Sequence, residues 1–169
     1  MSRLDSFIRR LTAQRDILDD LATRLAGVPG PILEFGFGNG RTYDHLRSRC
    51  PDRRVIVFES VLVPDLPLLP PPADLVVGDL RDTAARLPAG AAALIHADIE
   101  TGLADVDAAL AAWLPALVAR LLAPGGVAAS GAPLDDPRLA PLPLPPGVAP
   151  GRYHAVRRIG DDEARSSLA

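Results

Sequence analysis

The chain has 169 residues, enough for one hydrophobic core, and we therefore expect a single domain. Its net charge is −3 and its 18 basic residues are all arginine, so nothing draws it to nucleic acid or an anionic membrane, and lysine chemistry is excluded. A lone cysteine, Cys50, excludes an internal disulfide, and no apolar run is long enough to span a membrane or act as a signal peptide, so we expect a soluble cytoplasmic protein.

The first predicted element is a helix from Ser2 to Ala26. Ser2 and Asp5 form a capping-box pattern at its start, and Gly27 followed by Pro29 is a stop signal. Apolar residues recur along it at helical spacing and make a wide stripe that needs a partner surface. Two alternatives remain open: the helix covers an edge of its own sheet, or it pairs with a second subunit in a homodimer or larger homo-oligomer.

The most informative stretch is Ile32 to Leu46. An apolar run ends in Gly36, Gly38 and Gly40, and a helix-compatible segment, Arg41 to Arg49, follows. This layout predicts a strand, a tight turn and a helix start. Glycine allows positive φ and close approach of the backbone to a ligand, and the free N–H groups of a helix start attract an anionic group.

The glycine spacing narrows the choice of ligand. Dinucleotide-binding folds prefer G-x-G-x-x-G, whereas this chain has G-x-G-x-G, with Glu34 two residues before the first glycine. A carboxylate there would repel a pyrophosphate and suits an ammonium or a sulfonium. The stretch resembles motif I of the Rossmann-like (class I) S-adenosylmethionine (SAM)-dependent methyltransferases, in which the acidic residue serves the methionyl end of the cofactor.

The second predicted strand, Val55 to Phe58, ends at Glu59. This residue lies 23 positions after Gly36, close to the interval of about 20 at which an acidic residue meets ribose hydroxyls in Rossmann-type sites. A carboxylate suits that role because it accepts two hydrogen bonds from a vicinal diol. The proline-rich stretch that follows, Val61 to Pro72, predicts an extended loop over the cofactor edge.

The third predicted strand, Leu75 to Val77, runs into Gly78 and Asp79. Strand-Gly-Asp resembles the methyltransferase motif whose Asp accepts a hydrogen bond from the adenine amino group. The alternative is that Asp79 or Asp82 caps a helix over 83–87, and both roles can coexist because the strand ends where the helix starts.

The fourth predicted strand covers 91–97 and carries the candidate catalytic residues at its end. In order of preference these are Asp98, His96 and Glu100, because doubly wound folds hold their ligands at the carboxyl ends of strands. His96 precedes Asp98 by two, so both side chains point the same way along a strand and a base–carboxylate pair is one interpretation. The other is a hydrogen-bonded histidine of the core.

The last third of the chain predicts a helix, a strand, a loop and a final strand. An amphipathic helix over 105–122 is kinked or broken at Pro115, and a turn and fifth strand follow within 121–131. Its Leu-x-Pro-Gly-Gly sequence resembles a second signal of the same family. Seven prolines in 133–150 predict an irregular loop with room for one short strand, 152–159 predicts the last strand, and the end beyond Ile159 is expected to fray.

From 32 to about 130 these motifs occur in the order found in class I SAM-dependent methyltransferases. The resemblance implies an α/β fold with a doubly wound, mostly parallel sheet, helices on both faces, an abbreviated C-terminal part and an extra N-terminal helix. We expect one domain, 1–169, divided into an N-terminal helix (1–27), a cofactor-binding core (31–131), a proline-rich loop (132–151) and a last strand (152–159).

The implied reaction transfers the sulfonium methyl group of SAM to a small-molecule acceptor and leaves S-adenosylhomocysteine (SAH). The implied cofactor-binding residues are Glu34, Phe35, Gly36, Phe37, Gly38, Asn39, Gly40, Glu59, Ser60, Gly78, Asp79, Leu80 and Asp98. No metal is expected, because Ser130 and Gly131 stand where metal-dependent relatives carry an Asp-Asn pair. Two other functions remain open: a non-catalytic SAM-binding regulatory or assembly subunit, and an NAD-dependent oxidoreductase.

Overall fold

The computed structural model describes residues 2–61, 68–151 and 153–160. Within these residues the strands are β1 (Ile32–Phe35), β2 (Val55–Glu59), β3 (Leu75–Val77), β4 (Ala92–Ala97), β5 (Leu122–Ser130), β6 (Leu139–Pro141) and β7 (His154–Arg158). They form one sheet in the order β3-β2-β1-β4-β5-β7-β6. Strands β1 to β5 are parallel, and β7 is antiparallel to β5 and β6. The predicted doubly wound, mostly parallel sheet is confirmed, and its order reverses between β1 and β4.

Helices cover both faces of this sheet, as predicted. They are α1 (Arg3–Thr23), α2 (Arg41–Arg49), α3 (Leu80–Ala85), α4 (Ala104–Ala111) and α5 (Leu114–Leu121). One core cluster joins α1 and α2 to the sheet, and a second joins α3, α4 and α5 to its other face. Across the described ranges, no helix has both the length and the apolar character that crossing a bilayer requires.

Helix α1 packs on its own sheet, as one of the two predicted interpretations of its stripe expects. Ile17, Leu18 and Leu21 are fully buried in the cluster that α1 shares with α2 and the sheet. The capping box is present, because the Ser2 hydroxyl accepts from the Asp5 N–H while the Asp5 carboxylate accepts from the Ser2 N–H. The helix ends at Thr23, three residues before the predicted end. The predicted contact with a second subunit stays a prediction.

The third helix begins earlier than predicted. It starts at Leu80 instead of position 83, because Asp79 accepts a hydrogen bond from the Arg81 N–H and acts as the N-cap. The predicted capping role of Asp79 is therefore present. The helix predicted over 105–122 is two helices, α4 and α5, with Pro115 in the first turn of the second, where its missing N–H costs no hydrogen bond.

Strand β5 begins before the Pro-Gly-Gly sequence and not after it. Ala92 of β4 pairs with Leu122, whereas Leu94 pairs with Val127, so β5 accommodates extra residues in an irregularity of the ladder. The expected turn is thus a bulge within the strand, and Gly125, with φ of 79°, lies in it. Beyond this point the strand runs without interruption to Ser130, at the edge where ligands of this fold class bind.

The proline-rich segments are described only in part. Half of the loop predicted over 61–72, residues 62–67, lies outside the described residues, and 72–74 form a turn of 3₁₀ helix. The segment 133–150 is irregular except for β6, the short strand for which it leaves room. The predicted fraying after Ile159 also falls almost entirely outside the described residues.

Candidate active site

The glycine turn between β1 and α2 has the backbone that the sequence predicts. Gly36, Gly38 and Gly40 all have positive φ, at 86°, 53° and 78°. A Cβ on Gly36 would lie 2.7 Å from Cγ2 of Ile99 and 3.0 Å from the carbonyl oxygen of Asp98. A Cβ on Gly38 would meet no atom within 4 Å. The turn therefore packs against the segment after β4 at one glycine and leaves open space at the other.

Glu59, at the end of β2, is tied to this turn. Its Oε2 accepts from the N–H groups of Phe37 at 2.8 Å and Gly38 at 3.2 Å, and its Oε1 accepts from the N–H of Ser60 at 2.7 Å. Burial raises the pKa of Glu59, but hydrogen bonds from backbone N–H groups outweigh it and hold the pKa below its ordinary value. A charged acceptor is thus fixed beside the glycine turn.

Asp79 lies at the end of β3, next in the sheet to β2. Its carboxylate is exposed, caps α3 and pairs with Arg81 at 3.0 Å. Gly78 before it has a φ of 144°, and Leu80 after it is the first residue of the helix. The predicted cofactor residues on β1, β2 and β3 therefore line the carboxyl ends of three adjacent strands.

The residues present fit SAM. Glu59 offers a carboxylate to a vicinal diol, Asp79 offers an exposed acceptor to an amino group, and the glycine turn leaves open space at Gly38. Asn39, between the second and third glycines of the turn, has an exposed side chain. Phe35, by contrast, is fully buried in the core, so only its backbone lies near the turn.

The side chain of Glu34 lies in the protein interior, on one face of the sheet. It is fully buried, and its two oxygens accept from the Thr42 hydroxyl and from Nδ1 of His96 at 2.9 Å. Glu34 and His96 are register partners on β1 and β4, so their side chains share one face of the sheet. The direct service to the methionyl end that the resemblance implies for Glu34 therefore stays a prediction, and the structure shows this carboxylate bound inside the protein.

His96 is a fully buried member of a side-chain network. Its Nε2 lies 2.5 Å from the Tyr153 hydroxyl oxygen, and Gln14 Nε2 donates to that same oxygen at 3.3 Å. Burial lowers the pKa of His96, but the Glu34 carboxylate outweighs it, so the pKa is raised above its ordinary value. This geometry favours the interpretation of His96 as a hydrogen-bonded core residue.

Asp98 does not contact His96 directly, unlike the predicted base–carboxylate pair. Its Oδ1 pairs with the Arg10 guanidinium, and its Oδ2 accepts from Gln14 Nε2 at 2.8 Å. Because Gln14 also contacts Tyr153, the link from Asp98 to His96 runs through two side chains. Asp98 is therefore positioned by α1 at the end of β4.

Glu100 lies two residues further on and is partly buried. Its carboxylate occupies the space that a side chain at Gly131, just after β5, would need. Burial raises the pKa of Glu100, and the nearby Asp98 charge adds to that rise. A carboxylate with a raised pKa is a better proton acceptor near neutral pH than an ordinary one.

Three residues that complete this arrangement were not predicted from the sequence. Arg10 and Gln14 come from α1, and Tyr153 immediately precedes β7, so they reach Asp98 and His96 across 57 to 88 positions of the chain. The one available signal was Gln14, a polar residue in the otherwise apolar stripe of α1. Arg10 is one of 18 arginines, and no pattern distinguishes it from the others.

Two cavities of similar size lie at opposite ends of the sheet. One, of about 530 Å³, is lined by the segment after β5 and by the start of β7, including Pro133, Asp135 and His154. The other, of about 560 Å³, lies near the amino ends of the strands, between Gly30 and Arg53, away from the predicted site residues. Among the residues described, no group of three His, Cys, Asp or Glu side chains is arranged to hold a metal ion.

Comparisons with known proteins agree with this geometry. Residues 1–158 match the profile of a family described as S-adenosyl-L-methionine methyltransferase. A crystal structure of an S-adenosyl-L-methionine methyl transferase from Silicibacter pomeroyi is 38% identical, with a TM-score of 0.84, and the match covers 94% of this chain and 99% of that one. No curated protein sequence matches the chain significantly.

More distant structures share the fold alone. MnmC2 from Aquifex aeolicus is 17% identical with a TM-score of 0.52, and the match covers 92% of this chain and 62% of that one. The 1,6-didemethyltoxoflavin-N1-methyltransferase from Burkholderia thailandensis, solved with bound 1,6-didemethyltoxoflavin and SAH, is 14% identical with a TM-score of 0.52, and the match covers 88% of this chain and 79% of that one. The profile match spans nearly the whole chain, and the chain therefore belongs to the S-adenosyl-L-methionine methyltransferase family.

Proposed function

We propose that this methyltransferase acts on a small-molecule acceptor bound at the carboxyl ends of β4 and β5, with Glu100 as the proton acceptor. The observation that carries the proposal is the position of Glu100: its carboxylate packs beside Gly131, two residues before Pro133 of the 530 Å³ cavity. A cavity of that volume suits a small molecule. The net charge of −3 argues against a nucleic-acid acceptor.

When bound, SAM supplies a methyl group that its sulfonium already activates, so the residues of the chain chiefly bind and orient the reactants. Glu59 would accept hydrogen bonds from the ribose hydroxyls, and Asp79 would accept one from the adenine amino group. The glycine turn would pack its backbone against the cofactor. Glu100 would take the proton that the acceptor loses.

Glu100 is a stronger candidate than the other two predicted catalytic residues. Both oxygens of Asp98 already accept hydrogen bonds from α1, which leaves fewer lone pairs for a substrate proton. His96 has no exposed surface, and Glu34 and Tyr153 occupy its two nitrogens. We therefore assign proton transfer to Glu100 and not to Asp98 or His96.

The first test is binding. Calorimetric titration with SAM, SAH and NAD should show binding of SAM and SAH and none of NAD. A screen of small amines, alcohols and heterocycles for methylated products by mass spectrometry should then identify an acceptor. Binding of NAD without SAM or SAH would contradict the proposal.

The second test removes the proton acceptor. Glu100→Gln should reduce kcat by about 10²- to 10⁴-fold while the Kd for SAH changes little, because the substitution keeps the shape of the side chain. The wild-type rate should rise with pH through the raised pKa of Glu100, and the variant should lack this rise. Asp105→Asn, an exposed position on α4, is the matched control. An unchanged kcat in Glu100→Gln would reject this role, and SAM binding without methylation of any acceptor would favour a regulatory subunit.

A further inference from the structure

Four neighbouring strand ends present their polar residues in a fixed order. Across the sheet, β3, β2, β1 and β4 carry Asp79, Glu59, the glycine turn and Asp98 at their carboxyl ends. If Asp79 and Glu59 take the adenine and the ribose, as the proposed function holds, the amino-acid end of the cofactor meets the ends of β1 and β4. The residues found there therefore decide how that end is bound.

The end of β4 adjoins the glycine turn closely. The Asp98 N–H donates to the carbonyl oxygen of Phe35 at 3.2 Å, and the Asp98 carbonyl oxygen is 3.0 Å from the position of a Cβ on Gly36. At this place α1 contributes Arg10, whose guanidinium pairs with the Asp98 carboxylate. The two side chains keep 43% and 23% of their surface exposed, so the ion pair is open to solvent.

The charges of this pair match those of an amino acid. The methionyl end of SAM carries an ammonium and a carboxylate on one carbon, and the protein presents a carboxylate and a guanidinium side by side. Arginine has five N–H donors in a planar fork, and one nitrogen of Arg10 contacts Asp98. The fork is therefore able to bind a second carboxylate with two parallel hydrogen bonds.

The pair is also held in place from behind. Gln14 Nε2 donates to the other oxygen of Asp98 at 2.8 Å and also to the hydroxyl of Tyr153, a residue that is 1% exposed. Asp98 is thus fixed from one side by the buried network, while part of its own side chain and of Arg10 stays exposed. A preorganised ion pair of this kind loses little side-chain entropy when it binds a ligand.

We propose that Arg10 binds the carboxylate of the methionyl group of SAM, and that Asp98 binds its ammonium. This assignment rests on the proposed function, because the proposed function supplies the positions of the adenine and the ribose. It makes α1 part of the cofactor site and gives Arg10 a role in cofactor selection. The competing account is that Arg10 only ties α1 to the sheet.

Three ligands separate the two accounts. SAM has both charged groups, decarboxylated SAM keeps the ammonium and lacks the carboxylate, and 5′-methylthioadenosine lacks the whole amino-acid group. Calorimetry on the full chain should show that Arg10→Ala lowers the affinity for SAM about 10- to 100-fold. This is the effect expected when charge-assisted hydrogen bonds are lost. The affinities for the other two ligands should stay within about 3-fold.

Matched variants complete the experiment. Arg9→Ala removes the same charge from the neighbouring, exposed position of α1 and should change none of the three affinities. Asp98→Asn should lower the affinity for decarboxylated SAM about 10-fold, because the ammonium loses a charged partner. Arg10→Lys should recover part of the SAM affinity, since it restores the charge without the fork.

Equal weakening of all three ligands by Arg10→Ala would overturn the assignment, because it would mean that Arg10 shapes the whole pocket. Unchanged SAM affinity in that variant would overturn it as well, and would leave the proposed function intact. Failure of the wild type to bind SAM would reject both. Thermal unfolding of each variant without ligand verifies that it is folded.

Discussion

Two regions of this protein meet at one edge of the sheet and are built in different ways. The proposed cofactor region consists of the glycine turn and the ends of β2 and β3, and its contacts involve backbone N–H groups and positive-φ glycines. The region around β4 consists of side chains from α1, β1, β4 and the start of β7, joined by hydrogen bonds that span 57 to 139 positions. The first is encoded by local motifs, and the second by the packing of distant elements.

This difference predicts how each region responds to mutation. Substitution of a glycine in the turn should alter backbone geometry and ligand binding together. Substitution within the buried network should first reduce stability, because it leaves polar groups unpaired where water does not reach them.

The largest expected effect is that of His96→Leu. It removes the partner of the fully buried Glu34 and of Tyr153, and loss of one member of a buried pair costs about 3–5 kcal/mol. For a domain of this size the midpoint of thermal unfolding should fall by about 6–20 °C. His154→Leu, at a partly exposed histidine, is the control and should lower it far less. Similar losses in both variants would contradict the importance of the network.

Gly36→Ala and Gly38→Ala test the turn itself. At Gly36 a methyl group would meet Ile99 at 2.7 Å and force a side chain into a φ of 86°, which we expect to cost about 2–4 kcal/mol and to abolish SAH binding. At Gly38 only the positive φ opposes the methyl group, and the cost should be about 1 kcal/mol. Chemical denaturation of both variants measures the loss of unfolding free energy, and titration with SAH measures the loss of affinity. Equal losses of unfolding free energy in the two variants would refute the close contact at Gly36.

A pH dependence should identify the Glu34–His96 pair. The pKa of His96 is raised by folding above its ordinary 6.5, so the pair stabilises the protein fully below that pH and loses this contribution as pH rises through the raised pKa. The other charged or titratable groups near His96 are Tyr153, Asp98 and Arg10. The difference in unfolding free energy between wild type and His96→Gln should therefore shrink at alkaline pH, by at most about 1.4 kcal/mol per pH unit. A difference that grows with pH would be inconsistent with this pair.

The smallest effect on stability is expected for Gly131→Ala. Its methyl group would meet the Glu100 carboxylate, the far end of a flexible side chain, so the unfolding free energy should change by less than about 1 kcal/mol. Because the carboxylate must move, methyl transfer should slow while SAH affinity stays near that of the wild type. Gly102→Ala, also near Glu100 in sequence, meets no neighbouring atom but has a φ of 77°, so it serves as the control for backbone strain. Unchanged turnover in Gly131→Ala would argue against Glu100 as the proton acceptor.

Much of the fold could be predicted from the sequence. Helix α2 and strand β3 have the predicted bounds, and the sheet class, the family and the cofactor agree with the comparisons. The predictions were wrong at element boundaries. Helix α3, capped by Asp79, begins three residues before its predicted start, and β5 begins before the Pro-Gly-Gly sequence and not after it. Helix capping and strand pairing depend on which residues are neighbours in space. The hydrophobic pattern of the sequence does not give this information.

For the site, the sequence placed Asp98, His96 and Glu100 at one strand end but not their partners. The roles assigned to them stay predictions, although their surroundings now differ clearly: one carboxylate is paired with Arg10, the histidine is buried, and the other carboxylate packs against Gly131. Spacing along a strand indicates which way side chains point. It does not indicate which distant residues they meet.

The sequence by itself determined the features that depend on one residue and its near neighbours. Positive φ at three glycines, an acidic residue at the end of β2 and periodic apolar positions are local constraints, and they were sufficient to predict which edge of the sheet binds the cofactor. The tertiary structure alone decided that α1 lies on its own sheet and brings Arg10 to Asp98, and that Tyr153 reaches His96. The physical reason is that burial forces polar groups to find partners wherever packing places them, however distant they are in sequence.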